Sequence, residues 1–247
     1  MNRYGIIGYP LSHTFSPNFF KQKFASEKLE NFSYETFPIT DINQLPYLLT
    51  TQLGLKGLNV TIPYKQLVLP FINEYEKVVQ EIGSCNCIAI DNGILMGYNT
   101  DVIGFEKSLL TGLKPWHDKA LILGTGGAAA AVRYVLDKLN IKYLSASRNG
   151  KADQSINYND ISPAIIKEYK LIINTTPLGM FPYIDSFPDL PYNAITHEHY
   201  LFDLIYNPEE TLFLNKGKAW NATIKNGLEM LITQAEEILK IWKKLNS

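Results

Sequence analysis

A short glycine-rich turn between a buried strand and a helix is the feature that most constrains the fold of this chain. Residues 119–123 are an apolar run of strand length, and three of the next four residues, 124–127, are glycine. Residues 128–139 are alanine-rich with larger apolar side chains at helical spacing, and 141–146 is a second predicted strand. This order predicts a βαβ unit, which requires parallel strands and a right-handed crossover.

Two further buried runs, at residues 170–174 and 200–204, extend this unit into a larger sheet. Strands that alternate with helices predict a doubly wound parallel sheet, in which ligands bind outside the carboxyl ends of the strands. The first hundred residues are also α/β in pattern, with a hairpin at 88–98 that turns at Asn92-Gly93. Strands are also predicted there at residues 4–8, 32–37 and 55–60.

Helices are predicted before and after the central sheet. Ser16-Pro17 is typical of a helix start, and a helix from Thr100 or Asp101 to about Leu110 leads into the central sheet. A long amphipathic helix near the carboxyl terminus has one apolar stripe, formed by Leu228, Leu231, Ile232, Ala235, Ile238, Leu239 and Trp242. This stripe must be covered, and we expect the helix to return to the first domain and leave a cleft between the two halves.

Composition and charge exclude several classes of protein. A hydrophobic content of 46% with 19% charged residues excludes a disordered chain. The net charge of −1 argues against nucleic acid or an anionic membrane as the main partner. No apolar run approaches the roughly 18 residues of a membrane span, and the first residues lack a signal-peptide pattern. Cys85 and Cys87 would point to opposite faces of one strand, so we expect reduced, packing cysteines in a cytoplasmic protein.

The glycine turn predicts a dinucleotide site. Residues 124–129 fit the pattern G-x-G-x-x-G/A, in which glycines let the backbone approach a pyrophosphate and the following helix directs its free N–H groups at it. A bare tight turn is the alternative. Where an NAD-binding unit usually has an acidic residue, this chain has Ser147 and Arg148. A guanidinium binds a 2′-phosphate, which favours NADP over NAD, unless Arg148 is only a solvated loop residue.

Several polar residues outside this unit are uninformative one by one, but together they are typical of a site that oxidises an alcohol. Lys65 could be a solvated side chain, and Asp101 could be a helix N-cap. A nicotinamide enzyme that oxidises an alcohol needs a group to take the hydroxyl proton, and a lysine beside an aspartate can serve. The four histidines, His13, His117, His197 and His199, lie in no catalytic context. Thr14 and Ser16 precede a helix start and suit a carboxylate, although Ser16 could be only an N-cap.

Ordered motifs along nearly the whole chain resemble the shikimate dehydrogenase family. They are Gly8 to Pro17, Asn59-Val60-Thr61-x-Pro63-x-Lys65, Asn86, Asn99-Thr100-Asp101, Gly124-x-Gly126-Gly127-Ala128, Ser147-Arg148, Asn174 to Met180, Asp203 to Pro208, and Asn226-Gly227-x-x-Met230-Leu231-x-x-Gln234-Ala235. That family interconverts 3-dehydroshikimate and shikimate with NADP(H) in aromatic amino-acid biosynthesis, on the chorismate pathway. The resemblance implies two α/β domains flanking a cleft, the second a Rossmann-type doubly wound parallel sheet. Residues 1–101 with 226–247 would bind substrate, and residues 102–225 would bind NADP.

The resemblance also implies roles for individual residues, with no metal. Lys65 would be the general acid/base, and Asp101 would hold the reacting hydroxyl. The predicted substrate-binding residues are Thr14 and Ser16 for the carboxylate, helped by Tyr206, and Asn59, Thr61, Asn86 and Gln234 for the ring hydroxyls. The predicted cofactor-binding residues are Gly124, Gly126, Gly127 and Ala128 at the pyrophosphate, Ser147 and Arg148 at the 2′-phosphate, and Thr175, Leu204, Gly227 and Met230 near the ribose and nicotinamide.

Three departures from the family pattern touch this site. Thr14 replaces a usual serine, Cys85 and Cys87 flank Asn86 in place of valine and threonine, and Asn149 replaces a common threonine. The Cys87 change removes a hydroxyl, which puts the hydrogen bonding around Asn86 in question. Two alternatives to the proposed enzyme stay open: a relative that accepts quinate, often with NAD, and a non-catalytic NADP-binding regulator of the same fold. The sequence is compatible with a monomer or a homodimer.

Overall fold

The computed structural model describes residues 1–11, 14–148 and 155–245, which form two compact units. The first unit contains Met1–Thr100 and the chain from Gln234 on, and the second contains Asp101–Thr233. The predicted domains differ from these units by Asp101 and residues 226–233, which lie in the second unit. The assignment of substrate and cofactor to the two domains stays a prediction.

The first unit is an α/β layer around one mixed sheet. Its elements are β1 (Asn2–Gly8), α1 (Ser16–Ser26), β2 (Phe32–Pro38), α2 (Leu45–Thr51), β3 (Leu55–Val60), β4 (Glu74–Tyr75), α3 (Lys77–Ile82), β5 (Cys87–Asp91) and β6 (Ile94–Tyr98). The strand order is β2-β1-β3-β5-β6-β4. β1 is parallel to β2 and β3, whereas β5 is antiparallel to β3 and β6. The carboxyl ends of β1, β3 and β6 and the amino end of β5 therefore share one edge, which we call the polar edge.

The predicted hairpin is confirmed between β5 and β6. Asn92 and Gly93 have φ angles of +48° and +83°, so both turn residues are left-handed. A two-residue turn of this kind matches the twist of the flanking strands and fixes their register. Tyr98 therefore pairs with Cys87, which brings the ends of both strands to the polar edge.

The carboxyl-terminal helix, α8 (Leu228–Leu245), covers one face of the first sheet with its later turns. Ala235, Ile238, Leu239 and Trp242 join a core that also contains Tyr4, Phe20, Phe24, Cys87 and Ala89. The amphipathic stripe predicted this return to the first unit. Cys85 belongs to a different core cluster from Cys87, and both thiols are free and buried, as the spacing predicted.

The second unit contains a fully parallel sheet flanked by helices. Its elements before α8 are α4 (Asp101–Leu110), β7 (Lys119–Leu123), α5 (Gly127–Lys138), β8 (Lys142–Ser147), β9 (Ser155–Asn157), α6 (Pro163–Glu168), β10 (Leu171–Asn174), β11 (Tyr200–Asp203), α7 (Leu212–Lys218) and β12 (Thr223–Lys225). Short 3-10 helices lie at Ile42–Gln44, Leu69–Phe71, Tyr158–Asp160 and Tyr192–Ala194.

The strand order of this sheet, β12-β11-β10-β7-β8-β9, is doubly wound, as predicted. The chain runs outward from β7 through β8 to β9, and then returns to β10 on the other side of β7. This reversal opens a crevice outside the carboxyl ends of β7 and β10, which is where such sheets bind ligands. Among the described residues, no helix is long and apolar enough to cross a membrane.

Candidate functional site

The glycine turn leaves β7 at this topological switch point. Gly124 has a φ of +109°, and a Cβ atom there would lie 2.6 Å from Thr175 Oγ1. Thr175 follows β10, and its N–H and hydroxyl both donate to Leu123 O, at 2.9 and 2.7 Å. Only glycine satisfies both the left-handed backbone and the close approach of Thr175. The structure thus brings together two predicted cofactor positions from different loops.

The start of α5 fits a pyrophosphate. Gly126 is the N-cap, and no side chain caps the N–H groups of the first turn. Gly126 is exposed, and a Cβ atom built there would meet nothing within 4 Å, so the approach to these N–H groups is open. Uncapped N–H groups and the positive end of a helix bind phosphate oxygens. Gly127 and Ala128 are the first residues of α5, and their contact with a pyrophosphate stays a prediction.

Ser147 and Arg148 lie at the carboxyl end of β8, the strand next to β7. Arg148 is exposed, and its carbonyl oxygen accepts a hydrogen bond of 2.8 Å from Asn157 Nδ2. The backbone is anchored while the guanidinium faces solvent, as a 2′-phosphate ligand requires. Asn149 lies outside the described residues.

Asn174 and Asp203 form a buried polar pair at the carboxyl ends of β10 and β11 in the second sheet. Both belong to the family motifs, but the sequence gives no reason for their presence. Asp203 is fully buried at the end of β11 and accepts hydrogen bonds from Asn174 Nδ2 (3.0 Å), Ile205 N (3.1 Å) and Thr211 Oγ1 (2.6 Å). Burial raises the pKa of Asp203 to about 6, against the opposing effect of the donated hydrogen bonds. Asn174 in turn accepts from the backbone and hydroxyl of Thr176. The pair therefore ties the loops after β10 and β11 together.

Replacing Asp203 by asparagine tests whether burial raises the pKa of this carboxyl group. The folded-state pKa of Asp203 lies above its ordinary value, so the folded protein binds the proton more tightly, and the resulting stabilisation is lost as pH rises through about 6. We expect the free energy of unfolding of the wild type, relative to Asp203→Asn, to be about 1 kcal/mol larger at about pH 5 than at about pH 8. Urea unfolding of both proteins at both pH values measures this difference, and an equal or opposite difference would contradict it.

Four further predicted residues lie in the second unit: Leu204 and Tyr206 follow β11, and Gly227 and Met230 lie at the start of α8. Gly227 N donates to Ile205 O at 2.9 Å, and a Cβ atom on Gly227 would lie only 2.1 Å from Leu204 O. Leu204 and Gly227 are thus in backbone contact. Met230 is buried in the first turn of α8. Tyr206 is partly buried, and burial raises its pKa.

Asn86 and Gln234, which are far apart in the sequence, meet at the polar edge of the first unit. Asn86 Nδ2 donates to Gln234 Oε1 (3.3 Å) and Thr100 Oγ1 (3.0 Å), and Asn86 Oδ1 accepts from Thr100 N (2.8 Å). The replacement at Cys87 therefore leaves Asn86 hydrogen-bonded. Thr100 is a member of this cluster that the sequence treats only as a possible N-cap.

A second polar cluster at the same edge joins Ser16 and Asn59 through Tyr34. The Tyr34 hydroxyl donates to Asn59 Oδ1 at 2.7 Å. Burial raises the pKa of Tyr34, and the neighbouring Ser16 hydroxyl opposes that rise. Ser16 and Asn59 are both buried. Tyr34 did not stand out in the sequence, because one tyrosine in an alternating strand is an ordinary feature.

The remaining predicted residues are Thr14, Thr61, Lys65 and Asp101. Thr61 and Lys65 follow β3, and both are partly buried, as is Thr14 ahead of α1. The backbone of this stretch is fixed to neighbouring elements: Thr61 N donates to Ile7 O (3.0 Å), and Lys65 O accepts from Cys85 N (2.7 Å). Asp101 is buried as the first residue of α4 and belongs to the second unit. The pairing of Lys65 with Asp101 stays a prediction.

Two of the histidines have structural roles. Both ring nitrogens of His117 and of His199 are hydrogen-bonded to backbone groups, and burial lowers the pKa of both. His13 lies outside the described residues. Among the residues that the structure does describe, no group of three or more His, Cys, Asp or Glu side chains could hold a metal ion.

A parallel sheet with a glycine turn at its switch point defines a dinucleotide-binding α/β protein. A family model described as the shikimate dehydrogenase substrate binding domain matches residues 6–88. A shikimate dehydrogenase (NADP(+)) of Carboxydothermus hydrogenoformans is 37% identical over 255 residues, which cover 96% of this chain and 90% of that protein. The chain therefore belongs to the shikimate dehydrogenase family.

Solved structures agree with this assignment. The crystal structure of shikimate dehydrogenase from Aquifex aeolicus has a TM-score of 0.88 and 33% identity, covering 99% of this chain and 93% of that one. Shikimate 5-dehydrogenase from Thermus thermophilus, in complex with NADP(H) and shikimate, has a TM-score of 0.86 and 28% identity, covering 99% and 94% of the two chains.

Proposed function

We propose that this chain is an NADP-dependent shikimate dehydrogenase that interconverts 3-dehydroshikimate and shikimate in aromatic amino-acid biosynthesis. The observation that carries the proposal is the 37% identity to a shikimate dehydrogenase (NADP(+)) over 96% of the chain. The glycine turn at the switch point and the polar clusters at the edge of the first sheet support it. We place the enzyme in the cytoplasm, where its two free cysteines stay reduced.

The proposed chemistry uses Lys65 and Asp101 on one hydroxyl group of the substrate. NADP+, held at the glycine turn, would supply the acceptor for the hydride of the carbinol carbon. Before the transfer, the Asp101 carboxylate would accept the hydrogen bond of the reacting hydroxyl and orient it. A neutral Lys65 amine would then take the hydroxyl proton as the carbonyl forms, and the resulting ammonium would donate to Asp101 instead. In the reducing direction the Lys65 ammonium returns its proton to the carbonyl oxygen. Each proton and each hydride thus has a donor and an acceptor.

Binding is assigned to neutral groups, which lie in the first unit except for Tyr206. The substrate carboxylate would accept hydrogen bonds from Thr14, Ser16 and Tyr206. Because the positive end of a helix also stabilises an anion, this carboxylate would need no lysine or arginine partner. The ring hydroxyls would bind to Asn59, Thr61, Asn86 and Gln234. These four residues present amides and a hydroxyl, which can both donate to and accept from an alcohol.

The exposed guanidinium of Arg148 gives a test of cofactor choice. Replacing Arg148 by alanine removes a charge-assisted contact to the 2′-phosphate, so we expect the KM for NADP to rise by about 10- to 100-fold, with little change in the KM for NAD. The matched control is Lys142→Ala, which removes an exposed cation at the other end of the same strand and should leave both constants unchanged. An unchanged KM for NADP in Arg148→Ala would remove Arg148 from the cofactor site.

The function itself is tested by initial rates with shikimate and quinate, each with NADP and with NAD. We expect the largest kcat/KM with shikimate and NADP. Faster turnover of quinate with NAD would identify the quinate-accepting relative instead. Binding of NADP without any formation of NADPH from shikimate would identify a non-catalytic protein.

A further inference from the structure

We propose that Tyr34 is a positioning residue that holds the Asn59 amide with its N–H groups turned toward the substrate, so that Asn59 recognises a ring oxygen as a donor. This inference rests on the proposed function. Tyr34 lies on β2 and Asn59 on β3, with β1 between them. The tyrosine side chain crosses β1, and its hydroxyl reaches Asn59 Oδ1 at 2.7 Å.

The ring of Tyr34 is held by aromatic packing, which fixes the position of its hydroxyl. Phe20 stacks on it with ring centroids 4.6 Å apart and an interplanar angle of 13°. Trp242 packs against it at 6.3 Å and 43°. A hydroxyl carried on a packed ring has little freedom to follow a rotating partner, so the partner adapts to it.

Hydrogen-bond polarity then determines the orientation of the amide. The oxygen atom of the Tyr34 hydroxyl lies 2.7 Å from Asn59 Oδ1, and this hydroxyl has one hydrogen to donate. The single phenol hydrogen is therefore directed to Asn59, where it requires the carbonyl oxygen rather than the NH₂ group. With Oδ1 engaged in this way, both N–H groups of Asn59 point elsewhere and are available to an acceptor.

This arrangement links two subsites of the proposed reaction. Ser16 is assigned to the substrate carboxylate, and Asn59 is assigned to a ring hydroxyl. Without the tyrosine hydroxyl, the Asn59 amide could turn over and present its oxygen instead of its N–H groups. Tyr34 therefore favours a substrate whose hydroxyl accepts a hydrogen bond at this position while its carboxylate binds at Ser16.

The first variant is Tyr34→Phe, which keeps the stacked ring and removes only the hydroxyl. We expect the KM for shikimate to rise about 5- to 10-fold, the effect of one neutral hydrogen bond, with kcat and the KM for NADP within about twofold of wild type. The control is Tyr75→Phe, because Tyr75 also donates a hydrogen bond within the first unit, in its case to the backbone carbonyl oxygen of Leu69. A purely structural role for Tyr34 would affect thermal stability in both variants and the KM for shikimate in neither.

Three further variants separate positioning by Tyr34 from direct contact with the substrate. In Asn59→Asp the side chain still accepts from Tyr34 but has no N–H group, so we expect a rise of at least about 10-fold in the KM for shikimate. In Asn59→Ala, adding Tyr34→Phe should change the KM no further, because Tyr34 acts through Asn59. Independent, multiplicative effects of the two changes, or a wild-type KM in Asn59→Asp, would overturn the proposal. Absence of shikimate turnover in the wild type would instead refute the proposed function.

Discussion

Replacing Lys65 by alanine is expected to lower kcat for shikimate oxidation by about two to four orders of magnitude, while the affinity for NADP stays near that of the wild type. The reason is that the hydroxyl proton then has no positioned acceptor when the hydride leaves. The affinity for NADP is expected to persist because Lys65 is not among the residues assigned to the pyrophosphate, the 2′-phosphate or the nicotinamide. Steady-state rates and NADP titration by fluorescence measure the two quantities separately. Unchanged turnover would refute the assignment of Lys65.

Four further variants test the same assignment. Lys65→Arg keeps the positive charge but replaces the amine by a guanidinium that does not release its proton, so we expect it to stay nearly inactive. Lys77→Ala removes a lysine whose side chain is 88% exposed, and it should leave turnover unchanged. If Asp101 orients the same hydroxyl, Asp101→Asn should also lose turnover, and the double variant should lose far less than the product of the two single effects.

The parts of the fold that could be predicted from sequence are those fixed by local chemistry. The strand, glycine turn and helix at 119–139 follow from periodicity and from the conformational freedom of glycine. Strand β4 and strands β9 and β12, of two or three residues each, are too short to show a period. The apolar stripe of α8 predicts which face of the helix is covered. It does not indicate that the boundary between the two units falls between Thr233 and Gln234.

The candidate site divides in a similar way. Family motifs located Asn59, Asn86 and Gln234, because the pattern carries those positions. Tyr34 and the role of Asp203 depend instead on which side chains meet across strands. The hydrogen bond between Asn86 and Gln234 joins residues 148 positions apart, which no local pattern encodes. Sequence thus identified most of the groups assigned to ligands, and the structure identified the groups that hold them.

Replacing Trp242 by alanine is expected to give the largest loss of stability, about 3–5 kcal/mol in the free energy of unfolding. Trp242 is fully buried, stacks on Tyr4 with ring centroids 4.4 Å apart, and donates from Nε1 to Ile88 O at 3.1 Å. The sheet is shaped around it, because a Cβ atom on Gly57 would lie 2.2 Å from Trp242 Nε1. The alanine variant leaves a large cavity and removes the hydrogen bond to Ile88 O. Urea unfolding followed by circular dichroism measures the change.

The same substitution links stability to the proposed site. The helix that carries Trp242 also carries Gln234, whose side chain meets Asn86 at the polar edge. Loosening its last turns should therefore raise the KM for shikimate, while the KM for NADP changes little. Trp220→Ala is the matched control, since Trp220 is 46% exposed in the second unit and its loss should cost no more than about 0.5 kcal/mol. A loss below about 1 kcal/mol in Trp242→Ala would contradict the anchoring role of this helix, because a buried aromatic side chain truncated to alanine ordinarily costs several times that amount.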